Sequence, residues 1–298
     1  MKKLLFTLLY GAGITRICAW YFRKRVIFLC YHGVTERPTR SLANLKGLHV
    51  NARRFARHLA FLQRRYRVIP LSEYVRAQRE ARSLPDYCVV LTFDDGFRNF
   101  FTVAAPMLAA RKMPATVFLI TNNAGEKSDQ QLRDSWTPDD DQTYLSWEEA
   151  RFLMQRQEVE FGSHTCSHPG LLTVSAAEGR HELQKSYLDL ASHLSVETPM
   201  LSYPKGQYSD LLAADARNVG YACAVTTDRG PNELDHDLFT LGRTLIGDYD
   251  DEAAFAVRVS GLRWSLVRTL ALLSPSRPIK LPASPAEGYP GKISEVPN

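Results

Sequence analysis

Between residues 26 and about 249, short unbroken apolar runs alternate with longer stretches whose apolar positions recur every three or four residues. Strands buried on both faces read as continuous apolar runs, and one-faced helices read with the longer period. The pattern predicts strands at 26–31, 68–70, 88–93, 116–121, 159–163, 200–203, 222–226 and 240–246. It predicts helices at 52–65, 72–82, 99–112, 146–156, 175–194, 210–219 and 252–259, and in the first of these Phe55, Leu59, Phe61 and Leu62 fall close to one face. Alternation on this scale predicts an α/β fold with a parallel sheet, doubly wound or closed into a (β/α) barrel.

Three segments break the rhythm. Residues 122–143 are polar and rich in Asp, with Trp136 as their large aromatic residue; this reads as a surface loop that would rim the strand ends and cover substrate. Residues 262–273 read as a basic amphipathic helix, and a Pro-rich tail follows from Ser274. Residues 4–21 are apolar between Lys2-Lys3 and Arg23-Lys24-Arg25, but Arg16 and two glycines interrupt them. That stretch is short and broken for a spanning helix, and its run 4–10 is at the minimum for a signal peptide. An interfacial or uncleaved anchor helix fits better, the plainer alternative being that Trp20, Tyr21 and Phe22 pack onto the domain. The expected organisation is a membrane-associating segment at 1–25, a catalytic domain at 26–261, and a basic helix with a tail at 262–298. No internal repeat is present.

Composition narrows the picture. A chain of 298 residues that is 45% hydrophobic can bury one large core. Much of its formal charge excess of +5 lies near the ends, in residues such as Lys2, Lys3, Arg16, Lys24, Arg263 and Arg268, which favours an anionic membrane surface over nucleic acid, ordinary solubilising charge being the other reading. Five cysteines imply no disulfide framework, and Cys30, Cys88 and Cys223 lie in apolar runs.

The chemistry lies at strand ends. The strand at 88–93 runs into Asp94, Asp95 and Gly96. Successive strand side chains point opposite ways, so adjacent aspartates share a site only where the strand breaks, and Gly96 supplies that break. By itself such a sequence is also an ordinary turn. After the strand at 159–163 come His164 and His168, whose neutral imidazoles can converge on zinc or another first-row divalent ion. Two histidines and a carboxylate make a facial ligand set with open positions. Cys166 between them is a further candidate ligand.

With Thr92-Phe93-Asp94-Asp95-Gly96 and His164-Thr165-x-x-His168, the sequence resembles the polysaccharide deacetylase family, carbohydrate esterase family four. Tyr31-His32-Gly33-Val34, Leu145-Ser146-Trp147 and Ser202-Tyr203-Pro204-Lys205-Gly206 extend the match over about residues 26–249. The resemblance implies a distorted (β/α) barrel, a divalent metal with zinc favoured, and Asp95, His164 and His168 as its ligands. It further implies that Asp94 is the general base for the attacking water, and that the backbone N–H of Lys205 helps hold the oxyanion.

Two departures from the best-known branch matter. That branch orients its base with an arginine where this chain has Ser202, so Arg243 is assigned the task; its other reading is a surface salt bridge. The branch also draws its general acid from a histidine late in the domain. Here His32, at the end of the first strand, is the replacement, a core histidine being the competing reading and His236 a weaker candidate. The implied substrate is an N-acetylated glycan or glycolipid. An O-acetyl or other small-amide hydrolase and a non-catalytic glycan-binding relative stand as alternatives.

Overall fold

The computed structural model describes residues 2–36, 47–125, 143–156, 159–227 and 230–265. The chain opens with helices α1 (Lys2–Gly11) and α2 (Ile14–Tyr21), then strands β1 (Ile27–Tyr31), β2 (Gly33–Thr35) and β3 (His49–Asn51). Next come α3 (Ala52–Arg65), β4 (Arg67–Val68), α4 (Leu71–Arg79), β5 (Cys88–Phe93), a π-helical turn at Phe100–Ala104, α5 (Ala105–Ala109) and β6 (Ala115–Leu119). The second half holds α6 (Trp147–Met154), β7 (Val159–Ser163), α7 (Ala176–Leu194), β8 (Leu201–Ser202), α8 (Asp210–Val219), β9 (Ala224–Val225), β10 (Arg243–Leu245) and α9 (Glu252–Val259).

The main sheet is parallel in the order β10-β1-β5-β6-β7-β8-β9, with β4 added to the start of β5. Its two edges meet through a parallel bridge between Val225 and Leu241, where Thr226 N–H donates to Leu241 O at 2.7 Å and Leu241 N–H to Ala224 O at 3.1 Å. The result is the expected distorted (β/α) barrel. Strands β8 and β9 are only two residues long, shorter than their apolar runs. The last carbonyl of β8, on Ser202, and the first after β9, on Thr226, accept from the side chains of His164 and Arg243.

Strand periodicity divides the core. Ile27, Leu29 and Tyr31 of β1, Val89, Leu91 and Phe93 of β5, and Ala115, Val117 and Leu119 of β6 face outward under the helices. The alternate residues Phe28, Val90 and Phe118 fill the barrel interior with Val225 and Leu241. That same phase carries Thr92 and Asp94 inward from β5, and His164 inward from β7.

Helix ends follow local sequence. Ser146 with Glu149 and Ser175 with Glu178 form capping boxes that start α6 and α7, and Asn51 caps α3. The single helix predicted at 99–112 begins as a π turn. Pro106 has no N–H for the carbonyl four residues back, and Ala105 N–H reaches Phe100 O instead. The β2–β3 pair has no counterpart in the apolar pattern, since its strands are three residues each.

The apolar stretch near the N-terminus forms two helices that meet at 75°, broken at Gly11-Ala12-Gly13, where Gly13 takes a φ of 74°. No single helix among the described residues is long and apolar enough to cross a membrane. Tyr10 Oη donates to Glu252 Oε1 at 2.9 Å, which ties α1 to α9. Phe22 is buried edge-on against Trp264 with ring centroids 5.7 Å apart, whereas Trp20 and Tyr21 are exposed. Packing onto the domain therefore holds for Phe22 alone. Of the 122–143 loop, residues 126–142 lie outside the described residues, as do the predicted basic helix beyond 265 and the tail.

Candidate active site

The site is assembled at the carboxyl ends of the strands. Asp94 follows β5 in its interior phase, so its side chain enters the barrel and is 3% exposed. Asp95 would point away if the strand continued. It instead takes a left-handed φ of 71°, followed by Gly96 at 70°, which brings the second carboxylate to the same side. A Cβ on Gly96 would stand 2.6 Å from Leu119 Cδ2. Left-handed backbone at a non-glycine residue costs on the order of 1–3 kcal/mol, and Thr165, His168 and Lys205 adopt it in the other two loops of the site.

His164 and His168 lie in a turn held from several sides. His164 Nδ1 bonds the Ser202 carbonyl at 2.8 Å, a contact that needs a proton on Nδ1 and leaves Nε2 as the free lone pair. Thr165 Oγ1 accepts from His168 N–H at 3.1 Å. From α7, Glu182 accepts from the N–H groups of Cys166 and Ser167 at 2.9 Å each and from Ser167 Oγ at 2.5 Å. Sequence reading missed Glu182, whose buried face on α7 is its one distinguishing signal. Cys166 is buried, and its thiol bonds Glu182. Burial pushes that thiol up to about 12, so it is no ready thiolate.

Asp95, His164 and His168 each offer one ligand atom, and these atoms lie within 4.8 Å of one another. His164 Nε2 is 3.5 Å and His168 Nε2 3.8 Å from Asp95 Oδ1. Tetrahedral ligands at about 2.1 Å from an ion stand about 3.4 Å apart, so the donor set fits a divalent cation. Burial and then the Asp94 charge push Asp95 up to about 7, so a cation here would relieve both. Burial holds His164 down at about 3. Both imidazoles are thus in the neutral form that binds metal.

Asp94 has a different environment. Arg243 Nη1 donates to Oδ1 and Nη2 to Oδ2, each at 2.6 Å. The guanidinium is fully buried, and its remaining bonds go to Thr92 Oγ1 at 3.0 Å, Ser202 Oγ at 2.9 Å and Thr226 O at 2.9 Å. Arg243 is therefore an interior fork, and the surface salt bridge reading is wrong. Burial alone would raise the Asp94 pKa, but the Arg243 charge and hydrogen bonds keep it well below the usual carboxylate range. Cys30 Sγ lies 3.4 Å from Oδ2 as a third donor. Sequence reading placed Cys30 in an apolar run and Thr92 in the strand-end motif, and gave neither a contact with this carboxylate or its arginine.

His32 follows β1, and its buried Nδ1 has no hydrogen-bond partner among the described residues. Burial lowers it to about 4; Asp94 opposes that shift, while Arg243, His49 and His168 add to it. Lys205 sits in the turn after β8 with φ 58°, and its charge disfavours protonation of His168. His236 is elsewhere, although Leu234-Asp235-His236 has a Leu-x-His spacing. Neighbouring Asn232 bridges Val26 before β1, and His236 O accepts from Gln78 at the end of α4, so this segment lies where strands begin.

The sequence pattern of the polysaccharide deacetylase family matches residues 81–224. The Bacillus subtilis protein YxkH, assigned to polysaccharide deacetylases, is 24% identical over 237 residues, covering 77% of this chain and 79% of its own. The Escherichia coli poly-β-1,6-N-acetyl-D-glucosamine N-deacetylase is 24% identical over 221 residues; these are 65% of this chain but only 33% of that enzyme. Among solved structures, the Streptococcus pyogenes deacetylase PplD in complex with acetate superposes with a TM-score of 0.66 at 24% identity, covering 79% of this chain and 98% of its own. IcaB from Ammonifex degensii gives 0.62 at 23% identity, with 78% and 97% covered. At these identities the structural matches establish the fold.

Proposed function

The chain belongs to the polysaccharide deacetylase family, and we propose that it hydrolyses N-acetyl groups on sugars of a cell-envelope polysaccharide, releasing acetate and a free amine. The observation that carries this reading is the pairing of two unlike carboxylates. Asp95 stands with His164 and His168 in a cluster fit for a cation, and Asp94 beside it is held ionised by Arg243. The E. coli relative deacetylates poly-β-1,6-N-acetyl-D-glucosamine, and a β-linked N-acetylglucosamine polymer is the substrate class proposed here.

In this reading Asp95, His164 and His168 hold a divalent metal, zinc being the ion that suits two imidazoles and a carboxylate. The bound ion supplies Lewis-acid polarisation of the amide carbonyl and lowers the pKa of water. Asp94 accepts the water proton. Its fork to Arg243 fixes the carboxylate's orientation beside the cluster, where Oδ2 is 3.9 Å from His164 Nε2. The Lys205 backbone N–H is assigned to the carbonyl oxygen as negative charge develops there. His32 is neutral before reaction, and in this scheme the proton that Asp94 takes from water passes to His32 and from there to the departing amine, which leaves Asp94 ionised and His32 neutral again.

Acetate release from an N-acetylglucosamine oligomer, measured with and without chelator and alongside metal analysis of the protein, tests the proposal. Release that stops with chelator and returns with zinc supports it; no release at full metal content overturns it.

We also place the enzyme at an anionic membrane surface. Leu4, Leu5, Leu8, Ile17, Trp20 and Tyr21 are exposed on α1 and α2, and the first acidic residue of the chain is Glu36.

A further inference from the structure

We propose that a cleft between α2 and the end of α3 binds the phosphate of an anionic phospholipid headgroup; the proposal rests on the membrane reading above and adds a specific site to it. The cleft has a volume of about 230 Å3 and is lined by Thr15, Arg16, Phe61, Arg65, Tyr66 and Tyr87 among others. Thr15 is 3% exposed, yet its Oγ1 has no hydrogen-bond partner among the described residues. A buried hydroxyl is normally satisfied, so an unpaired one lining a cleft points to a missing ligand. Among the described residues no ion pair engages Arg16 or Arg65, although nearby Arg23 and Arg25 pair with Asp86 and Glu233. Arg65 stacks on Phe61 with its guanidinium carbon 4.8 Å from the ring centroid, which leaves its N–H edge open; two guanidinium groups without a carboxylate partner and a hydroxyl are a donor set for a phosphate oxyanion.

The surroundings favour a phosphate at a bilayer over one free in solution. Eleven large hydrophobic residues are exposed among the described residues, and the six on α1 and α2 form the one concentration of them. Arg16 shares α2 with exposed Ile17, Trp20 and Tyr21, so a headgroup in the cleft would have its acyl chains beside apolar side chains. Arg23, although paired with Asp86, stacks on Trp20 with its guanidinium carbon 4.7 Å from the ring centroid, which holds the exposed indole in place on α2.

Position in the fold bears on the substrate. Tyr87 immediately precedes β5 and Asp94 immediately follows it. At about 3.3 Å per residue these lie about 20 Å apart at opposite ends of the barrel. A protein seated through this cleft keeps its strand-end loops away from the headgroups, which suits an extended glycan.

The test is flotation of the full-length protein with phosphatidylcholine vesicles, with and without phosphatidylglycerol. Arg16→Gln/Arg65→Gln should weaken binding to phosphatidylglycerol vesicles about ten-fold or more, beyond the loss in the charge-matched Arg53→Gln/Arg57→Gln, which alters exposed arginines of α3. Thr15→Val, which changes no charge, should weaken it several-fold. Glycerol 1-phosphate should reverse wild-type binding better than chloride at equal ionic strength. Equal losses in both arginine pairs, with Thr15→Val unchanged, would overturn the cleft and leave the membrane reading standing. If the wild type ignores phosphatidylglycerol vesicles, both are overturned. Acetate release from a soluble oligomer, measured on the same variants, reports separately on the catalytic reading.

Discussion

Arg243 and Asp94 are 149 residues apart in sequence, yet their side chains meet through two parallel bonds of 2.6 Å inside the barrel. A pair of this kind fixes a carboxylate in orientation as well as in charge. Lysine can supply the charge but lacks the planar fork. Arg243→Lys should therefore reduce kcat by about a hundred-fold or more while leaving zinc affinity within a few-fold. Arg243→Met leaves Asp94 buried and unpaired and should lower stability by about 3–5 kcal/mol. Kinetics, metal titration and urea denaturation of the two variants check this, and an unchanged kcat in Arg243→Lys would remove Arg243 from the mechanism.

The neighbouring carboxylates should fail differently. Asp95→Asn replaces an anionic ligand with a neutral one, so zinc affinity falls and excess zinc recovers part of the rate. Asp94→Asn should retain zinc and lose turnover that added metal does not restore, because an amide accepts no proton from water. Equilibrium zinc titration beside acetate release decides between them. Metal loss in Asp94→Asn with retention in Asp95→Asn would mean the roles are exchanged.

His32→Gln should lower turnover by about a hundred-fold to ten-thousand-fold with metal content unchanged, if His32 hands the proton to the amine. A substrate with a better leaving group, such as an aryl acetate, needs that proton less and should be hydrolysed with a much smaller loss. Equal losses on both substrates would return His32 to a structural role.

Glu182 holds the turn between the two histidines through the backbone N–H groups of Cys166 and Ser167 and the Ser167 hydroxyl. Supporting groups of this sort are worth about 10- to 100-fold in metal affinity. Glu182→Gln should weaken zinc binding by that order, with kcat at saturating zinc changed less. Unaltered affinity would show that the turn holds its shape without the carboxylate.

Acid should destabilise the fold through His58. Its Nε2 bonds Asp250 O at 2.9 Å, its ring stacks on Phe255 at 4.0 Å, and burial lowers it to about 4. With the folded value below the unfolded one of about 6.5, the unfolded chain binds the extra proton between those values, so stability falls as pH falls through that window. From pH 7 to pH 5 the loss from this group is about 2 kcal/mol. Urea denaturation at both values measures it, and His58→Gln should reduce the acid-dependent loss by about 2 kcal/mol, leaving the part that the buried His32 and His164 contribute, while costing stability at pH 7.

Much of the fold was legible because buried parallel strands declare themselves as apolar runs. Strands β5 and β7 and helices α3, α8 and α9 lie where the pattern put them, since each has a clear period and a clear stop. The ends of β8 and β9 were misjudged by one or two residues, because the carbonyls of Ser202, the last residue of β8, and of Thr226, just past β9, serve the side chains of His164 and Arg243. The bend between α1 and α2 was readable in its glycines, but its angle depends on how α1 docks on α9.

Sequence alone determined which side chains end β5 and β7, and so the chemistry available there: two aspartates, a glycine break and two histidines four residues apart. Those are local properties, set by strand period and by the residue types that permit a turn. Tertiary structure decided how the aspartates differ. Arg243 reaches Asp94 because barrel closure brings β10 beside β1, and Glu182 reaches the histidine turn because α7 packs against β7. Partners contributed by distant elements leave no periodic mark on the chain, since one side chain pointing into a shared interior adds nothing to the pattern of its own strand or helix.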